Sequence, residues 1–189
     1  MIQMNYKRSD EVGKYRETEM LYHGRRLRLL QKYYEKPSGK LYVREVIDSP
    51  DAVTIVPITK EGKMVVILQQ REAIDCMDSY EFPAGKIDVG ENDEAAAKRE
   101  LQEETGWKVE QLKYLLQANN SNGYSTERTA IFIAEEMELQ GKRHLDENEN
   151  IEVMELTVKE VEELIQQGKM NHMASILGFY AYFYSKHEN

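Results

Sequence analysis

The stretch from Gly85 to Trp107, GKIDVGENDEAAAKRELQEETGW, limits the possible folds of this chain more than any other. Asn92 reads as a helix N-cap, Asp93 and Glu94 put negative charge at the positive end of the helix dipole, an alanine run follows, and Gly106 is the stop. At about 3.6 residues per turn, Glu100, Glu103 and Glu104 project from one face, and Ala97 and Leu101 lie opposite. The predicted helix is fixed to a sheet by its apolar side and aims carboxylates outward. Three carboxylates in one patch repel each other unless cations sit among them. Arg99 can pair with Glu103 across one turn, and Glu91, just before the helix, can accept from the same guanidinium. With no His or Cys nearby, the remaining charge suits hard divalent cations, Mg²⁺ or Mn²⁺.

The flanks supply the sheet. Ala52 to Ile58 and Lys63 to Gln70 are β-branched apolar runs joined by Glu61 and Gly62, as expected for buried strands paired with each other. Leu112 to Gln117 and Thr129 to Ala134 read as two more strands around the polar loop NNSNGYSTE. Thr157 to Glu160 form a capping box opening a helix that stops at Gly168, and an aromatic-rich helix of about Ala174 to Tyr184 packs on the sheet. From Arg25 to Asp48, alternation around Pro37, Ser38 and Gly39 indicates a β-hairpin. Residues 1–50 are therefore expected to form a small β subdomain, and residues 51–189 an α/β layered domain with a mixed sheet.

Composition narrows the function classes. Across 189 residues, 25 Lys plus Arg stand against 34 Asp plus Glu, and a net charge of −9 argues against a phosphate-backbone binder, so no nucleic-acid partner is expected. The first twenty residues, broken by charges every few positions, read as neither signal peptide nor membrane span. Cys76 is the only cysteine, which excludes a disulfide framework or zinc–thiolate cluster and fits a reducing cytoplasm. His172 reads as an ordinary core or surface residue.

Glutamates alone would suit an ordinary solvated helix face. Their wider setting is more specific. Gly85, Glu91, Arg99, Glu100, Leu101, Glu103, Glu104, Gly106 and Trp107 match every fixed position of the pattern G-x5-E-x7-R-E-U-x-E-E-x-G-U, with U bulky and apolar. The chain thus resembles the Nudix hydrolases. EFPAGKID before the box, QQRE at Gln69 to Glu72, REVIDSPDAV at Arg44 to Val53, and DENENIEVMEL followed by two helices are similar to the bacterial ADP-ribose pyrophosphatase branch. The resemblance implies an α/β/α sandwich with a mixed sheet, preceded by a small N-terminal β subdomain that is exchanged or packed across a homodimer.

It also implies roles. Glu100 and Glu104 would be the main ligands of two or more Mg²⁺ ions, with Glu103 contributing directly or through water and the Ala84 carbonyl completing a shell. Gly85, Glu91, Arg99 and Gly106 would hold the box together. The general base would come from the late acidic loop, Glu147 by preference with Glu149 as a further ligand, although the two could exchange roles. Arg71 would clamp the diphosphate, Arg44 would act from the β subdomain, and Glu81 and Glu127 would contact substrate. Tyr124 could stack on a base or sugar. The loop departs from the branch's usual proline-glycine-phenylalanine type at Asn122, Gly123 and Tyr124 and keeps Glu127. ADP-ribose is the expected substrate. The alternatives are another nucleoside diphosphate sugar such as GDP-mannose, and a non-catalytic ADP-ribose sensor.

Overall fold

In a computed structural model, the structure describes residues 13–141, 143, 145 and 150–187. The chain divides into two compact units: one takes in the chain up to Ser49 together with Ser121–Glu127, the other Pro50–Asn120 and Arg128–Asn189.

The first unit is a three-stranded antiparallel sheet of β1 (Lys14–His23), β2 (Arg28–Glu35) and β3 (Leu41–Asp48) in that order. The hairpin of β2 and β3 turns at the Lys36–Lys40 segment as the Pro-Ser-Gly sequence predicts, with Gly39 at φ +78°. The strand β1 was not legible. All ten of its residues are exposed, so it lacks the half-buried alternation that marks a strand. Residues 121–127 dock on the end of β3: Ile47 N–H donates to the Tyr124 carbonyl at 2.7 Å, and Thr126 N–H donates to the Ile47 carbonyl at 3.0 Å. Thr126 Oγ1 also donates to Asp48 Oδ1 at 3.1 Å.

The second unit is built on β4 (Ala52–Pro57), β5 (Met64–Arg71), β6 (Cys76–Glu81), β7 (Ala84–Lys86), β8 (Trp107–Lys108), β9 (Leu112–Asn119), β10 (Arg128–Ala134), β11 (Glu138–Leu139) and β12 (Ile151–Leu156). Its helices are α1 (Asp93–Thr105), α2 (Val158–Gln166) and α3 (Met173–His187). One sheet runs β7-β4-β10-β9, with β4 and β10 parallel and the other pairs antiparallel; a second runs β12-β5-β6. The sheet is mixed, as expected. The expected pairing of β4 with β5 is not found, since they meet only at an isolated bridge between Ile58 and Met64. Both runs are buried on both faces, and a continuous apolar run says that a strand is central without saying which neighbours flank it.

Pleating then sorts the core into two layers. Val53 and Ile55 of β4, with Ala130 and Phe132 of β10, face Ala96, Ala97 and Leu101 of α1. Val56, Ile131 and Ile133 face Phe179 and Ala174 of α3 and Val161 of α2. Gly178 lets α3 lie close, because a Cβ there would sit 2.9 Å from Val56 Cγ2. This is the predicted α/β/α sandwich. Among the described residues no helix is long and apolar enough to cross a membrane.

Candidate active site

The helix α1 begins where the sequence says: Asn92 Oδ1 accepts from Ala95 N–H at 2.8 Å, and Gly106 caps the far end at φ +79°, its N–H donating to the Gln102 carbonyl. With both ends fixed and Ala97 and Leu101 buried, the acidic face is held against β7. Glu104 is therefore not aimed outward as expected. It is 4% exposed and accepts from the Ala84 N–H at 2.9 Å, because β7 crosses over this end of the helix. Glu100, one turn earlier, lies against Gly85, where an added Cβ would overlap its carboxylate. Gly85 is thus a close-approach glycine.

Arg99 gathers the rest. Its Nε and Nη2 form a fork on Glu91 at 3.1 and 2.8 Å, its Nη1 reaches Glu100 at 2.7 Å and Glu103 at 3.1 Å, and Nη2 also donates to the Lys86 carbonyl at 3.0 Å. A planar guanidinium with five donors suits this task. The Arg99 fork holds the Glu91 carboxyl below its ordinary pKa, and Glu91 in turn raises that of Arg99. Sequence spacing found Glu91 and Glu103 as partners of Arg99; the Glu100 contact was not among them. The Ala84 N–H and Lys86 carbonyl it could not find, because main-chain groups carry no residue signature.

A second polar cluster lies at the end of β6. Glu81, 1% exposed, is paired in two-point geometry with Arg71 of β5, Nε to Oε1 at 2.7 Å and Nη2 to Oε2 at 2.6 Å. Ser79 Oγ donates to Oε1 at 2.8 Å, and His172 Nδ1 lies 3.6 Å from Oε2. Burial alone would push the Glu81 carboxyl up, yet Arg71, His172 and Ser79 outweigh it and hold the pKa below the ordinary range. The two residues expected to touch substrate separately are thus brought together.

In the first unit, Arg44 of β3 lies 4.8 Å over the Tyr42 ring, which stacks on Tyr34 at 5.4 Å. Lys32, Arg44, Tyr42 and Tyr124 line a cavity of about 370 Å³. Glu127 closes the loop, its N–H donating to Ser125 Oγ at 3.2 Å.

For a divalent ion, the donor set on α1 is all oxygen, and Gly85 leaves the space that the Glu100 carboxylate fills, so the residues fit a hard cation. Among the described residues, no three His, Cys, Asp or Glu side chains already converge as a ready ion cage. Arg99 and the Ala84 N–H engage the carboxylates instead. Glu147 and Glu149 lie outside the described residues.

The NUDIX domain model matches residues 48–176 of this sequence. The chain belongs to the Nudix family. Among curated relatives, the ADP-ribose pyrophosphatase of Bacillus subtilis (strain 168) is 37% identical over 78% of this chain and 80% of its own. The methanol dehydrogenase activator of Bacillus methanolicus is 32% identical over 85% and 87%. A solved structure titled as an ADP compounds hydrolase superposes with TM-score 0.78 at 22% identity, covering 89% of this chain and 91% of that one, which supports the Nudix fold.

Within the Nudix box the structure brings Glu91, Glu100 and Glu103 onto Arg99, sets Glu100 against Gly85, and bonds Glu104 to the Ala84 N–H. Arg71 and Glu81 form a separate pair beyond it.

Proposed function

We propose that this protein hydrolyses the pyrophosphate of ADP-ribose, consuming one water and releasing AMP and ribose 5-phosphate, in a Mg²⁺-dependent reaction. The observation that carries this reading is the 37% identity, over most of both chains, to a protein named ADP-ribose pyrophosphatase. The unbroken box and its Arg99-centred carboxylates support it.

In this reading Glu100, Glu104 and Glu103, with the Ala84 carbonyl and Glu149, hold two or more Mg²⁺ ions, for which Mn²⁺ can substitute. When bound, such ions neutralise diphosphate charge and lower the pKa of an attacking water. The protein's own part is preorganisation: Arg99 and Glu91 fix the helix relative to its preceding loop, and Glu147 takes the proton of the water. Arg71, Glu81, Arg44 and Glu127 contact the substrate, with Arg71 exchanging part of its pairing for phosphate oxygens. The protein works in the cytoplasm as a homodimer through its N-terminal sheet, which leaves Tyr15 and Met20 exposed on one face and Tyr22, Leu41 and Val43 on the other.

Rates on ADP-ribose, GDP-mannose, NADH and diadenosine polyphosphates test the substrate. The highest kcat/KM is expected for ADP-ribose; a GDP-sugar far ahead of it rejects the choice. EDTA is expected to abolish turnover and Mg²⁺ to restore it.

A second reading draws on the relative named methanol dehydrogenase activator: action on a partner dehydrogenase. A full turnover rate without any partner, and no change in dehydrogenase rate on mixing, rejects that reading.

A further inference from the structure

In its sheet β6 is the outer strand, and its second edge is covered by the segment 169–175 that leads into α3. Tyr80 N–H donates to the Lys169 carbonyl at 3.2 Å. Ser175 Oγ, fully buried in the first turn of α3, accepts from the Phe82 N–H at 2.9 Å. His172 sits at the start of the same helix, its carbonyl accepting from Ile176 N–H at 3.1 Å. Helical spacing therefore puts residues 172 and 175 side by side. His172 Nδ1 is 2.9 Å from Ser175 Oγ and 3.6 Å from Glu81 Oε2. The Ser175 hydroxyl thus accepts from the Phe82 N–H and also meets His172 Nδ1, as donor or acceptor according to the imidazole tautomer.

These contacts fall on Glu81 and Phe82, immediately before the segment that meets the Nudix carboxylates. Pro83 is held by the Ile55 N–H, which donates to its carbonyl at 2.9 Å. The next residue, Ala84, donates to Glu104, and the one after, Gly85, borders Glu100. Five consecutive residues are thus gripped one by one, and a trans backbone allows little slack over so short a span.

We propose that His172 and Ser175 are positioning residues for the Nudix centre: Ser175, oriented by His172, holds the Phe82 N–H next to Glu81 and so sets where Ala84 and Gly85 meet Glu104 and Glu100. This rests on the reading that those carboxylates hold the divalent ion. The C-terminal helix then has a part in the chemistry through β6 and β7.

The test uses the full chain, with residue-resolved amide exchange, Mn²⁺ titration and ADP-ribose kinetics on Ser175→Ala, His172→Leu and His172→Asn. An outer contact that orients a metal ligand is typically worth 10–100-fold, so Ser175→Ala and His172→Leu are expected to weaken Mn²⁺ binding about tenfold and to lower kcat similarly, with KM within about twofold. The Phe82 and Ala84 amides are expected to exchange faster, and those of β10 at the wild-type rate. His172→Asn, which keeps a polar atom near the Nδ1 position, is expected to recover most of the loss. If Ser175→Ala does not fold, the two His172 variants decide. Unchanged Ala84 exchange and Mn²⁺ affinity in His172→Leu would overturn the proposal, as would a wild-type protein that binds no Mn²⁺. A wild-type protein that binds Mn²⁺ but cleaves no nucleotide sinks the proposed function alone, and exchange and titration still judge the clamp.

Discussion

The Glu100 carboxylate occupies the space where a side chain on Gly85 would begin. Strand and helix are pinned independently there, β7 by its pairing with β4 from Ala52 to Thr54 and α1 by the buried Ala97 and Leu101, so neither can retreat easily.

Gly85→Ala is therefore expected to displace Glu100 and leave the rest of the core in place. Loss of ligand orientation on this scale lowers kcat/KM roughly 10–100-fold. Steady-state kinetics with a circular dichroism control checks it; wild-type activity would show that the close approach does not matter.

Glu104→Gln is expected to fold, because the amide oxygen can still accept from the Ala84 N–H. Turnover should nevertheless fall by about 10²–10⁴, as several kcal/mol of charge stabilisation are lost. Near-normal activity in the soluble variant contradicts the ligand assignment.

Arg71→Ala leaves Glu81 buried without its main counter-charge. Breaking a buried pair costs about 3–5 kcal/mol, but Arg71 is 41% exposed and water can enter in its place, so a smaller loss of about 2 kcal/mol is expected. Urea unfolding measures it, and Arg71→Lys should recover only part because an ammonium cannot reproduce the two-point fork.

The same carboxylate predicts a pH dependence. Its pKa in the folded protein is depressed below the ordinary 4.5, so the unfolded state binds more protons in acid. The stabilisation is present in full above pH 4.5 and is lost as pH falls through and below that value. Asp51, where Arg128 outweighs the effect of burial, acts with the same sign. Unfolding free energies at pH 7 and pH 4 should therefore differ less for Glu81→Gln than for the wild type; an equal difference would remove Glu81 as a contributor.

What the sequence determined by itself was whatever depends on spacing along a single element. The caps at Asn92 and Gly106, the carboxylate face of α1, its apolar contact through Leu101, the Arg99–Glu103 and Arg99–Glu91 pairings, and the capping box at Thr157 are all relations between residues no more than one or two helical turns apart, where backbone geometry is fixed in advance. Only the tertiary structure decided which strand lies beside which, since the buried runs of β4 and β5 look alike from either side. It also decided that Glu104 turns inward to a main-chain N–H, that Arg71 and Glu81 satisfy each other, and that Ser175 reaches Phe82 from 93 positions away. These contacts join distant parts of the chain, often through backbone groups that every residue shares, so no local pattern announces them.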